Sequence, residues 1–98
     1  MIDPLPDHVN IMGRAYRVVF EKLDDGTYAE CSGMDGVIKI NENEESGRRG
    51  TLVHEVLHAI FFETGLNKMI RPKVEEAIVS GLEVGLIRAG IIKEDLTQ

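Results

Sequence analysis

The segment His54-Glu55-Val56-Leu57-His58 sets two imidazoles four positions apart, with a carboxylate directly after the first. On an α-helix that spacing separates the rings by about 6 Å along the axis and about 40° in rotation, so both can close on one metal ion. Glu55 is offset from them. Its carboxylate can reach a water held between the imidazoles without displacing either, the geometry a general base needs. Imidazole and carboxylate donors suit Zn2+, and three protein donors leave a fourth tetrahedral position open. The same residues could instead be hydrogen-bonded core groups, with Glu55 held by an arginine. Three polar side chains on an otherwise apolar helix are costly without a purpose, however, and a metal supplies one.

The motif gives two donors, so the chain must offer a third. No histidine follows His58, and His8 is the only other one. A downstream donor is therefore a carboxylate: Glu63, Glu75, Glu76 or Glu83. Glu63 lies more than one turn beyond His58 and points elsewhere. With Val74 at 0° and about 100° per residue, Gly85, Ile78, Ala89, Leu82 and Leu86 span an apolar arc from about 20° to 120°. Glu75, at about 100°, falls inside that arc, whereas Glu83 and Glu76, near 180° and 200°, belong to a polar face. A carboxylate on an apolar face needs a partner, and two histidines holding a dication provide one. The expected set is thus His54, His58 and Glu75 as metal ligands, with Glu76 the alternative to Glu75, and Glu55 as the catalytic base.

Two helices must carry these groups. In the first, 51–64, the residues Leu52, Val53, Val56, Leu57, Ala59, Ile60, Phe61 and Phe62 surround the axis on nearly all sides, which predicts a central, buried helix ending at Gly65. The polar run 41–46 before it is of the kind that opens a helix, although Gly47 and Gly50 blur the start. The second starts near Pro72, runs to about Ala89 and stops at Gly90. Upstream, 8–41 has strand periodicity cut by turn signals at Gly13-Arg14, Asp24-Asp25-Gly26-Thr27 and Met34-Asp35-Gly36. That predicts a three- or four-stranded antiparallel meander, with Tyr16, Val18 and Phe20 on one face and Ile38 and Ile40 matching them. Pro4 and Pro6 make 1–7 an extended arm, and 91–98 is a tail that docks or frays. The class is α+β: a short antiparallel sheet followed by two helices, in one domain over 1–98.

The chain has 98 residues, 43% of them hydrophobic, and a net charge of −6. The acidic balance argues against nucleic-acid binding, which Arg48-Arg49 alone does not reverse. No apolar run reaches the roughly 18–20 residues of a membrane span. Cys31 is the only cysteine, so no disulfide forms within the chain; with no apolar leader at Met1, a reducing cytoplasm is expected. So small a core would gain from a bound metal, a dimer interface or very economical packing.

The run Thr51-Leu52-Val53-His54-Glu55-Val56-Leu57-His58-Ala59-Ile60, followed by Val74-Glu75-Glu76-Ala77, resembles the gluzincin metallopeptidases, most closely the small phage-encoded and ImmA/IrrE-like members. The resemblance implies a minimal zincin-like fold and a zinc metalloendopeptidase acting on a peptide or protein substrate. Under it His54 and His58 would be zinc ligands, Glu55 the catalytic base and Glu75 the third ligand. Larger members carry a downstream His or Tyr that stabilises the oxyanion. None follows His58 here, so that role would fall to Tyr16, Tyr28, His8 or Arg14. By analogy, the strand before the active-site helix, 37–41, would offer its edge to an extended substrate. A rival reading is a catalytically silent, zinc-stabilised module, phage-encoded and binding a host protein. An acidic nucleic-acid mimic is a third, resting on charge alone.

Overall fold

The computed structural model describes residues 5–43 and 47–92. Most of the expected arm and tail, and half of the polar run 41–46, lie outside the described residues. Four strands, β1 (His8–Ile11), β2 (Arg14–Glu21), β3 (Ala29–Ser32) and β4 (Val37–Asn41), precede two helices, α1 (Arg48–Thr64) and α2 (Pro72–Arg88), joined through a 3-10 turn at Leu66–Lys68. The α+β class is as the sequence implies.

Each expected turn is present, and glycine geometry explains the sharpest. Met12 and Gly13 both adopt positive φ, 55° and 89°, the twist that suits a two-residue hairpin between β1 and β2. The sheet itself departs from a meander. Its order is β1-β2-β4-β3, with β4 parallel to β2 and antiparallel to β3, so the sheet is mixed rather than wholly antiparallel. The chain leaves β2, passes one strand position, runs along the edge as β3 and returns as β4 into the gap. Burial supports the centre being β4: Val37, Ile38, Ile40 and Asn41 are all buried. The strand expected to offer an edge is therefore covered on both sides, and the edge on that flank is β3.

One face of the sheet packs against α1. Ile11, Tyr16, Val18, Ile38 and Ile40 meet Leu52 and Ala59 in a single core, with Val56 and Ile60 against its rim. Phe20, expected beside Tyr16 and Val18, is 43% exposed, with the Arg48 guanidinium 4.9 Å from its ring centre. The helix α1 begins at Arg48, a turn before the expected start, and stops at Gly65, whose φ of 81° ends it as a left-handed cap. Its residues before Thr64 are all at least half-buried. By contrast α2 buries one residue, Val79, and leaves Val74, Ile78, Leu82 and Val84 exposed. The apolar arc that the sequence turns inward faces outward instead. Among the described residues no helix is long and apolar enough to cross a membrane.

Candidate metal centre

The helix α1 presents His54 and His58 side by side, ring centres 5.0 Å apart and planes at 62°. Across from them, α2 packs about Val79, and its three glutamates fan out around that contact. Relative to Val79, Glu75 lies about 40° to one side, while Glu83 and Glu76 lie about 40° and 60° to the other. All three reach the histidines.

Their contacts differ in kind. Glu76 meets both Nε2 atoms, at 2.9 Å from His58 and 3.1 Å from His54. Glu75 Oε2 sits 2.6 Å from His58 Nδ1, and Glu83 Oε1 sits 2.8 Å from His54 Nδ1. The three groups able to surround one ion are thus His54, His58 and Glu76, with donor atoms all within 4.8 Å of one another. The structure brings Glu76 to that position in place of Glu75, which stands behind His58. The physical reason is the register of α2: its inward face is centred on Val79, and most of the apolar arc that made Glu75 look inward, Gly85, Ile78, Ala89 and Leu82, is open.

The donor set suits zinc. Tetrahedral bonds of about 2.0–2.1 Å hold donors about 3.3 Å apart, close to the separations between Glu76 and the two imidazoles. With a metal bound, a carboxylate accepting the N–H of each Nδ1 would leave the Nε2 lone pairs for the ion, the support that metal-bound histidines receive. Glu83, which the sequence assigns to the polar face, is one of these supports. The legible signal was that each ring needs an acceptor behind it.

Electrostatics follow from the same contacts. Burial lowers the His58 pKa, but the carboxylates of Glu75 and Glu76 outweigh it and the net shift is upward. For Glu76 burial pushes upward, yet hydrogen bonds from Ser80 and His58 and the charge of His54 bring it below the usual carboxylate range. Glu55, 8% exposed, is raised, chiefly by burial, with the two histidines working against that. A raised carboxyl is the stronger base.

The centre opens into a cleft of about 1010 Å³ between α1, α2 and the β3 edge, and Glu55, His54 and His58 all line it. Of the four groups that could serve an oxyanion, only Tyr28 lines this cleft. Arg14 and Tyr16 are both bound to Glu63, and Arg14 also donates to the carbonyls of Gly33 and Met34. His8 sits on β1, the opposite edge of the sheet. Cys31 also lines the cleft as a thiol, pushed up to about 12 by burial and then by Glu55 and Glu75. Phe62 closes one wall so tightly that a Cβ at Gly33 would collide with its ring.

Comparison with protein-family models, with curated proteins and with solved structures returned no match. The likeness to gluzincins therefore rests on the sequence motif alone.

Proposed function

We propose that this chain is a zinc-dependent peptidase in which His54, His58 and Glu76 hold the metal and Glu55 is the general base. One observation carries the reading: both Nε2 atoms converge on Glu76 while a separate carboxylate backs each Nδ1. The chemistry supplied by bound Zn2+ is Lewis acidity, toward water and toward a peptide carbonyl. Glu55 takes the proton from a water positioned in the cleft and returns it to the leaving amine; its raised pKa suits both transfers. Glu75 and Glu83 fix the imidazoles. The β3 edge, in place of β4, lies where an extended peptide could add as a further strand.

Zinc stoichiometry after dialysis against a mild chelator tests the ligand set. One zinc per chain is expected in the wild type and none in Glu76→Ala. Glu75→Ala and Glu83→Ala keep the site but weaken it about 10–100-fold. Glu55→Gln should retain zinc and lose all turnover; continued cleavage would remove Glu55 from the mechanism.

The silent binding module stays as a second reading because of the exposed Val74, Ile78, Leu82 and Val84 on α2. A zinc-loaded wild type indistinguishable from Glu55→Gln against a broad peptide library would favour it.

A further inference from the structure

The carboxylates of α2 are all drawn to one side. Glu75, Glu76 and Glu83 each contact a histidine of α1, so the side of the helix turned away from the centre carries no acid. With Val74 at 0° and about 100° per residue, that outer side spans about 160°, from Val84 through Gly81, Val74 and Ile78 to Leu82. Its four large apolar residues are 40–47% exposed. Two rows run along it side by side. Val74, Ile78 and Leu82 make a ridge at four-residue spacing, and Ala77, Gly81 and Gly85 make a shallow row beside it at the same spacing. The space above both glycines is open. Glycine inside a helix costs stability relative to alanine, and nothing among the described residues uses the close approach that these two allow. The charges on this side are Arg71 and Lys73 where the helix starts and Arg88 where it ends, all exposed. On a chain of net charge −6, the face is apolar with basic ends.

We infer that the outer side of α2 docks an amphipathic helix of a partner protein, whose apolar stripe lies in the row of Ala77, Gly81 and Gly85 and whose ends carry Asp or Glu against Arg71, Lys73 and Arg88. The inference goes beyond the peptidase reading and concerns a side of α2 that holds no ligand of the centre. A ridge next to a shallow row, both at four-residue spacing, is the surface with which the ridge of a second helix interlocks, and glycine lets the two axes come close. The basic ends then set the partner's charge, since like charges brought together suppress a pairing and opposite ones favour it. A second copy of this chain fits poorly by that measure. Laid antiparallel, it would set Arg88 against Arg71 and Lys73 of the other molecule; laid parallel, it would set each basic end against itself. An acidic lipid surface would meet the same bases, but it would repel a chain of net charge −6.

The test uses the full chain and two fluorescein-labelled helical peptides of about 18 residues, long enough to hold a helix when capped. Both carry the same stripe of leucines; one has Glu in its first and last turns and the other has Lys. Each is titrated by anisotropy at low and at physiological salt. The Glu-ended peptide is expected to bind at least about tenfold tighter at low salt, with the gap narrowing as salt screens the ends. Lys73→Glu combined with Arg88→Glu should reverse that order. Gly85→Leu fills the shallow row and should weaken both peptides at least about tenfold, while its thermal melt stays at or above that of the wild type, because leucine is the better helix former. Met34→Ser, exposed elsewhere, should change nothing. Equal binding of the two peptides, binding of neither, or indifference to Gly85→Leu would overturn the inference. Three other results would overturn it by naming a different occupant: a dimer in sedimentation that Gly85→Leu dissolves, adhesion to phosphatidylserine vesicles that the double charge variant abolishes, or peptide binding that appears only when residues 93–98 are removed.

Discussion

The two helices contribute to one centre from unequal footings. The α1 half stands on the sheet: Leu52 and Ala59 are in the core, Glu55 is buried, and β1, β3 and β4 all contact the helix. The α2 half rests mainly on α1 and has only Val79 fully buried. Half of the constellation is thus fixed by folding, and the other half is held largely by the contacts of the centre itself. A bound ion would join the halves, so metal binding and the docking of α2 should be one event.

The largest effect that tests this contrast is in the sheet. Ile40→Ala removes a fully buried side chain from the core and should cost about 2–5 kcal/mol in denaturant unfolding, loosening both halves together. Next is zinc. At a hundredfold excess over its dissociation constant, a ligand that binds only the folded state stabilises it by about 2.7 kcal/mol. In hydrogen exchange, chelation should release the α2 amides well before those of α1 and the sheet. If both helices lose protection together, the footing is not unequal.

The pH dependence of the metal-free chain is a smaller effect. The raised His58 contributes stability that is full below its ordinary value of 6.5 and is lost as pH rises through the shifted pKa. The lowered Glu76 contributes stability that is full above 4.5 and is lost as pH falls through its shifted pKa. Together they protect the α1–α2 contact best between those two values. Glu55 acts oppositely: its raised pKa favours folding below 4.5, and that support fades as pH rises, moving the optimum toward the acid side of the window. Exchange of the α2 amides across pH measures the result, and the dependence on Glu76 should vanish in Glu76→Gln. Smallest is Gly81→Ala. The site has open space and helical backbone, so the change should stabilise α2 by up to about 1 kcal/mol without altering zinc content.

What was legible in the sequence follows the same division. Gly65 and Gly90, Pro72 and the strand turns act locally, and local chemistry placed them. His54, Glu55 and His58 could be set on one helix face because helical geometry fixes their relation. The insertion of β4 between β2 and β3 is a long-range pairing that alternation cannot reveal, since Ile38 and Ile40 would be buried in either order. Glu76 was ranked behind Glu75 because hydrophobic periodicity assumes that apolar residues choose the inward face. In α2 the polar contacts to His54 and His58 choose it instead, and Val74, Ile78 and Leu82 are left outside.

Arg14 donates to the carbonyls of Gly33 and Met34 in the β3–β4 turn and pairs at 2.8 Å with Glu63 near the end of α1. It works as a spacer bar between the strand edge and the helix, set outside the cleft that it spans. The separation of that turn from the helix is set by contacts in which none of the metal-centre side chains takes part.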